Sequence, residues 1–500
     1  MTFKLSLVVA AGLVASASVA FADPVNPFFA PSTYASGPGV TDIYLSGSSA
    51  VDLALTKFIA NSCNASTLDT YRTDAGGKSY YLWTCQTNNT APNFVLASGN
   101  TKIAIHKNTN SSSDGVVALA AGTGLNFLQV SDFVGAGACP ASPTLVPASA
   151  TIPAYNVFNC TAAAGNTLGA GSLVQPSRFG FSDSEPKQFS TTAPAQLTSA
   201  YPLSIVFGIP VTTNVRNALQ TAQGLTAGDE TEAGMPSLTS AQIASLFTGK
   251  FSTWSNLGIT VGSDNAIYFV RRSNGSGTTR AFDAAFITDF CIPGASPISS
   301  AATLATATLT AQCTSTASGG AKALQAGTSD DMAACLSSFN NNGAVGAVGY
   351  LSTDYLPGAT DGYRWVKVDG YSPKLLNVVD GKWKDWSEEA INYVKATALA
   401  GDDLSFYNTI KATSASGVLV SEIAKNLAQT TSGGWTGGVL GALPNRQNGA
   451  GWGLAAGSSL ATPRTDLSVL NYPANPATRA TATGYNLCAV PLPALGFTAQ

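Results

Sequence analysis

The feature that most constrains this chain is a glycine-rich stretch, Arg271–Thr279, with the sequence RRSNGSGTT. The apolar run before it, Ala266–Val270, is typical of a buried strand, and the segment after it, Arg280–Phe290, places three phenylalanines at helical spacing. Glycines let a backbone approach a ligand closely, a helix start offers unpaired N–H groups, and hydroxyl and guanidinium groups add donors. The stretch therefore predicts a site for a tetrahedral anion at a strand-to-helix junction.

The amino terminus predicts export. Residues 1–22 combine a basic start, an apolar run and an Ala-Phe-Ala cleavage site, as a secretory signal does. Cleavage after Ala22 leaves no cysteine at the new terminus to carry a lipid, and no later apolar run is long enough to span a bilayer. We therefore expect a periplasmic or secreted protein whose first segment, residues 23–40, is an extended arm rich in Pro, Gly and Ser.

Composition limits the kinds of partner. Charged residues make up 11% of the chain and the net charge is −3, so nothing favours nucleic acid or an acidic membrane surface. An anion site in such a chain must work through local dipoles and donors. One histidine and no Cys-x-x-Cys pattern argue against a zinc site, and we expect neither a metal nor a cofactor.

The cysteine count is even, as expected of an exported protein with structural disulfides. Connectivity cannot be read from sequence, but pairing between neighbours along the chain is the favoured hypothesis. The eight cysteines would then pair as Cys63–Cys85, Cys139–Cys160, Cys291–Cys313 and, as the remaining pair, Cys335–Cys488.

The order of elements predicts an α/β fold. Strand patterns alternate with helical patterns, which favours parallel-type sheets with ligands at the carboxyl ends of strands. Residues 122–175 are rich in Gly, Ala, Pro and Thr and are predicted to be a loop-rich insertion. From Glu388 onward the apolar spacing favours a helix through Ile391 and Val394. The length suggests two or three domains.

Three further segments offer groups for an anion: Gly47–Ala50, Ser111–Gly115 and Phe179–Asp183. Taken singly, each has a simpler interpretation, because Ser is a preferred helix cap and Asp is common in turns. An isolated arginine is likewise more often a surface salt-bridge residue. The glycine-rich stretch Arg271–Thr279, called the Arg272 loop below, is more specific, since capping requires neither its arginine nor its two glycines.

Together these segments resemble the phosphate-binding proteins of ABC transporters, in the periplasmic binding protein type II superfamily. The order of all the matching segments agrees, and they span roughly residues 43–350. The Arg272 loop is the specific match, and the serine segments are weak alone. The segments are Gly47–Ala50, Ser112–Val116, Phe179–Asp183, Thr239–Gly258, Val270–Thr278 and Gly343–Tyr350.

The resemblance implies a two-domain fold with the ligand in an interdomain cleft. Domain I would comprise residues 40–207 and 388–500, and domain II residues 208–387. Hinge strands would lie near Phe207–Val211 and Trp383–Glu388. Closing of such a hinge would bring the two halves of the site together and exclude water from the anion.

The resemblance also implies roles for individual residues. Asp183 would accept a hydrogen bond from hydrogen phosphate, which sulfate cannot offer, so the carboxylate would select one anion against the other. The donors would come from both domains. The implied phosphate-binding residues are Ser48, Ser49, Ala50, Ser112, Asp183, Arg272, Ser276, Gly277 and Thr278.

The chain departs from the family pattern at three places. Asn274 stands where the family often has an aspartate paired with the site arginine, so Arg272 would keep more of its positive field. Val51-Asp52 replaces a common Phe-Pro, and the insertion between Ser112 and Asp183 is large.

The preferred function is that of a monomeric solute-binding protein that delivers phosphate to an inner-membrane ABC permease and is not an enzyme. Two alternatives stay open: a secreted or surface phosphate scavenger without a permease, and a phosphatase-like relative. A structural surface protein that has lost its site is a third.

Overall fold

The structure is a computed structural model of the 500-residue chain. It describes residues 39–414 apart from 76–77, 129–142, 150–151, 162–172, 263–264, 288–301, 305–308, 315–321, 354, 356, 375–376 and 379–381, together with seven short strands beyond residue 414. The predicted signal segment and most of the predicted arm lie outside the described residues.

Strands dominate the described part of the chain. In chain order they are β1 (Val40–Gly47), β2 (Asp69–Ala75), β3 (Lys78–Gln86), β4 (Lys102–Thr109), β5 (Gly124–Phe127), β6 (Thr144–Val146), β7 (Tyr155–Thr161), β8 (Leu173–Pro176), β9 (Phe179–Ser182), β10 (Leu197–Thr212), β11 (Ser237–Leu238), β12 (Tyr268–Arg272), β13 (Ala302–Thr303), β14 (Ala323–Ala326), β15 (Ala347–Val348), β16 (Leu351–Ser352), β17 (Tyr363–Val368), β18 (Trp386–Val394), β19 (Gln429–Thr430), β20 (Thr436–Gly437), β21 (Leu443–Pro444), β22 (Ala477–Thr478), β23 (Ala480–Thr481), β24 (Gly484–Tyr485) and β25 (Leu492–Pro493).

Helices connect many of these strands. They are α1 (Asp52–Ser62), α2 (Leu119–Ala121, continuing a π-helical turn at Asp114–Ala118), α3 (Ala193–Gln196), α4 (Thr213–Ala222), α5 (Ser240–Phe247), α6 (Gly277–Phe286), α7 (Leu309–Gln312), α8 (Ser329–Gly343) and α9 (Gly401–Ser414), with 3-10 turns at Pro186–Gln188 and Trp254–Leu257. None of the helices in these ranges combines the length and apolar character that crossing a bilayer requires.

The first sheet has the strand order β6-β7-β2-β3-β4-β1-β9-β18-β10. Strand β1 is parallel to both β4 and β9, and β2 is parallel to β7, while the other neighbours are antiparallel. Because β1, β4 and β9 run in one direction, their carboxyl ends at Gly47, Thr109 and Ser182 meet at one edge. The loops after those ends carry three of the predicted anion segments.

The second sheet has the order β11-β17-β10-β15-β12-β14-β13. Strand β12 is parallel to β14 and β15, and it ends at Arg272, directly before the glycine-rich loop and α6. Both sheets contain parallel and antiparallel pairs, so the predicted α/β class is confirmed as a mixed α/β fold.

One long strand, β10, belongs to both sheets. Its first part, through Val206, pairs with β18 in the first sheet, and its last part, Ile209–Thr212, pairs with β17 in the second. The predicted hinge at Phe207–Val211 falls where the strand passes from one sheet to the other. The domain boundaries themselves stay a prediction.

Two of the predicted elements need correction. Residues 386–394 form strand β18 and not a helix, because this strand lies between β9 and β10 and most of its residues are buried. A strand buried on both faces shows no regular alternation. The predicted loop-rich insertion contributes β5 to β8, and β7 extends the first sheet by pairing with β2.

The disulfides confirm one predicted pair and contradict two. Cys63 and Cys85 are bonded, as predicted. Cys313 is bonded to Cys335, so the predicted pairs Cys291–Cys313 and Cys335–Cys488 are wrong. The reason is tertiary: α7, which ends next to Cys313, packs on α8, which contains Cys335, and brings their Cα atoms to 5.3 Å. Cys160 is disulfide-bonded, and Cys139, its predicted partner, lies outside the described residues.

Candidate functional site

The loop after β1 approaches the end of β9 very closely. Gly47 has a φ of +110°, and a Cβ built on it would lie 2.0 Å from the carbonyl oxygen of Phe181. The next residue, Ser48, donates its backbone N–H to the same carbonyl at 3.0 Å. Only glycine allows both this conformation and this approach. The first serine segment is thereby held against the segment that carries Asp183.

The Asp183 carboxyl is buried and accepts a hydrogen bond from the Ser112 hydroxyl. Burial raises the pKa of Asp183, and this is partly opposed by its hydrogen bond from Ser112, by Arg272 and by the hydroxyl of Ser48. An opposing set of donors and cations is what lets a buried carboxylate stay ionised. Four residues at or just beyond the ends of four different strands therefore form one electrostatic cluster: Ser48, Ser112, Asp183 and Arg272.

The start of α6 lies directly against this carboxyl. A Cβ built on Gly277 would lie 1.3 Å from Asp183 Oδ1 and 2.4 Å from Ser112 Oγ. The first intrahelical bond is donated by Arg280 to the Ser276 carbonyl at 3.2 Å, so the N–H groups of the first turn, from Gly277 on, have no intrahelical acceptor. The positive end of α6 thus opens where Asp183 and Ser112 meet it.

Two further contacts join the halves of the site. The Ser113 backbone N–H donates to the Gly275 carbonyl at 3.1 Å. Ala50, just before α1, packs against a small apolar cluster formed by Ile205, Phe207 and, on α6, Ala281. The glycine-rich loop is therefore in contact with the loops of the first sheet, and the cleft between the sheets is closed here.

Arg272 is buried with one donor uncommitted. Its Nη1 donates to Ser329 Oγ at 2.8 Å and its backbone N–H to the Tyr350 hydroxyl at 3.0 Å. Its Nε is buried and has no acceptor among the described groups. Burial lowers the pKa of Arg272, which nearby Tyr355, Tyr350 and Asp183 partly oppose. A buried guanidinium N–H without a protein acceptor is suited to an anion.

Asn274 contacts a different arginine from the expected one. Its Oδ1 accepts from Arg271 Nη2, and its carbonyl accepts from Arg280 Nε at 3.0 Å. The carboxylates that act on Arg272 are Asp183 and Asp331. The loss of an acid at position 274 therefore bears first on Arg271.

The other predicted site residues are placed unequally. Ser276 and Thr278 are buried at the start of α6. The N–H of Ala50 already donates to Ser48 Oγ at 3.1 Å, and the Ser49 carbonyl accepts from Asp52 at 3.1 Å. Of the first segment, Ser48 is the residue that the structure brings to Asp183.

Sequence reasoning did not identify a group of charged residues beneath the first loop. Lys107 is fully buried and donates to Asp52 Oδ1, to the Ser48 carbonyl and, at 3.1 Å, to Thr109 Oγ1. Burial raises the pKa of Asp52, and Lys107 opposes this. Glu389 on β18 is a third member. The available signal was a lysine that follows the apolar run Ile103–Ile105 within a strand.

Tyr350 was also missed, although it braces the loop. Its hydroxyl accepts from the backbone N–H of Arg272 and shares a hydrogen bond of 2.8 Å with Thr279 Oγ1. The ring stacks on Phe282 of α6. One side chain therefore ties the end of β12 to the first turn of α6.

We expect Tyr350→Phe to lower the free energy of unfolding by about 2 kcal/mol, because it leaves the buried Arg272 N–H without its acceptor. Urea denaturation would measure this. Tyr371→Phe, at an exposed tyrosine, is the matched control and should change little. Equal stability of the two variants would contradict a bracing role for the Tyr350 hydroxyl.

Comparison with known proteins gives one matching family model and one curated relative. A family model described as a PBP superfamily domain matches residues 209–415. The chain is 27% identical over 185 residues to the phosphate-binding protein PstS of Bacillus subtilis (strain 168), a match that covers 37% of this chain and 49% of the relative. The chain thus spans about half the length of that curated relative.

Two solved structures are also similar. One is a protein from Clostridium perfringens, assigned as a phosphate ABC transporter substrate-binding protein and solved with bound phosphate; it is 15% identical, with a TM-score of 0.41, over 77% of this chain and 98% of that one. The other is an ABC-type phosphate transport receptor from Vibrio cholerae, 16% identical, with a TM-score of 0.33, over 53% and 86%. The family-model and sequence matches agree with the resemblance indicated by the motifs: residues 209–415 match the model of a PBP superfamily domain, and part of the chain is similar to a phosphate-binding protein.

Proposed function

We propose that this chain binds inorganic phosphate, as hydrogen phosphate, in the cleft between its two sheets. One observation carries the proposal: the start of α6 lies against the buried Asp183–Ser112 pair. A helix start and a guanidinium attract an oxyanion, and a carboxylate accepts a hydrogen bond from an O–H group on that oxyanion. Few ligands other than a protonated tetrahedral oxyanion fit both requirements.

The proposed donors come from both sides of the cleft. Ser48, Ser49, Ala50 and Ser112 would act from the first sheet, and Arg272, Ser276, Gly277 and Thr278 from the second. Asp183 would accept from the ligand. Closure removes water from all of these groups, which strengthens each charged hydrogen bond.

Selectivity follows from Asp183. Hydrogen phosphate has an O–H to donate, whereas sulfate has none. Sulfate would leave the buried acceptor unpaired and would also bring two like charges together. Each of these two effects costs about 1–3 kcal/mol or more in binding free energy. The site should therefore prefer phosphate by a wide margin.

The same proposal extends to transport. The Bacillus subtilis relative is a phosphate-binding protein and the Vibrio cholerae neighbour is a transport receptor. By analogy, this chain is an exported monomer, processed after Ala22, that passes phosphate to an ABC permease and is not an enzyme. Domain closure would turn on β10 near Phe207. The alternative roles, a scavenger without a permease and a phosphatase-like relative, share the phosphate site.

Calorimetric titration with phosphate, arsenate and sulfate tests the proposal, on protein stripped of bound anion by partial unfolding and refolding. We expect a single site for phosphate, a comparable response to arsenate, and weak or absent heat with sulfate. A chain that gives no heat with phosphate, while its circular dichroism shows it folded, would rule the proposal out. Release of phosphate from a chromogenic ester by the same sample would favour the phosphatase alternative.

A further inference from the structure

Glu389 occupies the strand position next to Asp183 across the first sheet. In the antiparallel pair of β9 and β18, Ser182 is opposite Ala390, so the next position places Asp183 opposite Glu389. Directly opposite residues of neighbouring strands project to the same face, with Cβ atoms about 5 Å apart. Glu389 therefore lies on the face that carries the Asp183 carboxyl.

The pairing of β18 with β10 independently places the Glu389 side chain on the same face of the sheet. Ser387 is opposite Ile205, and Glu389, two residues on, shares the face of Ser387. Ile205 belongs to the small apolar cluster with Phe207 and Ala281, against which Ala50 packs. Two registers thus place Glu389 at the floor of the closed cleft.

The carboxyl of Glu389 has no partner there. The residue is 0% exposed, and neither Oε1 nor Oε2 has a hydrogen-bond donor among the described groups. An ionised carboxylate in this condition is strongly destabilised, since nothing replaces its hydration. The described surroundings favour a proton on this group.

The charges around Glu389 also favour its protonated form. Burial is the largest cause that raises the pKa of Glu389; Asp183, just after β9, and Asp52 on α1 raise it further, and Lys107 on β4 opposes them. Lys107 already donates to Asp52. Helix α6 also packs against β18. It contributes one positive and one negative side chain, Arg280 and Asp283, which form an ion pair at 3.7 Å. A phosphate dianion would bring further negative charge to the same place.

We propose that Glu389 takes up one proton from solvent when the cleft closes on phosphate, so that it is a specificity-determining residue whose protonation is linked to binding. This rests on the proposed function, since the ligand is phosphate. In the open cleft water would solvate the carboxylate and let it ionise. In the closed cleft the carboxyl is neutral and tolerates the anion beside it. The linkage has a definite sign: binding is helped while Glu389 can be protonated and weakens as pH rises through its raised pKa.

Proton counting by calorimetry tests this. Phosphate is titrated into the full chain at about pH 8, where free phosphate is mainly the dianion, in two buffers of different ionisation enthalpy. We expect wild type to take up close to one proton per phosphate, and Glu389→Gln to take up none. The ratio of the wild-type Kd to the variant Kd should also rise about tenfold per pH unit near pH 8, and so about 100-fold between about pH 6 and pH 9; the titration of phosphate itself cancels in this ratio.

Glu388→Gln is the matched control. Glu388 is equally buried and adjacent on β18, but it points to the opposite face, so this variant should keep the proton uptake. Phosphate heat without proton uptake in wild type, or uptake that persists in Glu389→Gln, overturns the inference while leaving phosphate binding intact. Absence of phosphate heat in wild type contradicts the proposed function instead. Should Glu389→Gln not fold, the wild-type proton count decides alone.

Discussion

Replacing Asp183 with asparagine should narrow the preference for phosphate over sulfate by about 100-fold or more. The amide keeps the size of the side chain but removes its charge and supplies an N–H donor. Phosphate then loses its acceptor and binds more weakly, whereas sulfate gains a donor and escapes a like charge. Each change amounts to about 1–3 kcal/mol, and the two add in the ratio.

Competition titrations with both anions would measure this ratio. Asp330→Asn is a suitable control, because Asp330 is an exposed partner of Arg72 and should leave the preference unchanged. The pH dependence gives a second test. Since burial raises the pKa of Asp183, wild type should bind sulfate better as pH falls and that carboxyl is protonated, and the asparagine variant should lack this component. An unchanged preference in Asp183→Asn would mean that Asp183 does not face the ligand.

Local patterns were enough to predict the elements that build the site. The strand-to-helix units at β1 and α1, at β4 and α2, and at β12 and α6 each combine an apolar strand, a Gly or Ser turn and a helical apolar face. All of that information lies within about 25 residues of sequence, which is the range over which periodicity and turn chemistry act. The order of these units then indicated the family.

The structural predictions that were wrong concern features that depend on contacts between distant segments. Strand β18 was predicted as a helix because a strand covered on both faces can contain any spacing of apolar residues, including a helical one. The Cys313–Cys335 bond follows from the packing of α7 on α8, which no spacing of cysteines reveals. Strand β7, inside the predicted insertion, pairs with β2, and this contact between distant segments is likewise not visible in the local sequence of either strand.

The buried charged residues at the base of the cleft show why contacts between distant segments matter for function. Lys107 and Glu389 are far apart in sequence and lie on strands whose neighbours in the sheet are known only from the fold. The family resemblance implied donors and an acceptor on the loops of the predicted site. The carboxyl opposite Asp183 was missed, because reading β18 as a helix removes the register that brings the two together.

Gly277→Ala should abolish tight phosphate binding, with a loss of at least about 100-fold, while the chain still folds. The added Cβ would lie 1.3 Å from Asp183 Oδ1 and 2.4 Å from Ser112 Oγ, so the closed arrangement of α6 against the first sheet cannot persist. Separation by even about 1 Å misplaces the donors of the first turn, and in enzyme active sites a displacement of that size can cost about 100-fold in rate. Alanine is otherwise acceptable at the first position of a helix, which argues against a large loss of stability.

Titration of Gly277→Ala beside Gly358→Ala would isolate this effect. Gly358 is exposed, and a Cβ there would meet only ordinary contact at 3.5 Å from the Asp361 carboxylate, so its variant should bind like wild type. Because the clash exists only when the two sheets close, Gly277→Ala should be found in an open form, and small-angle scattering should show no compaction when phosphate is added. Wild-type affinity in Gly277→Ala would mean that the cleft binds its ligand without bringing α6 to Asp183, and the site would then have to be built from one sheet alone.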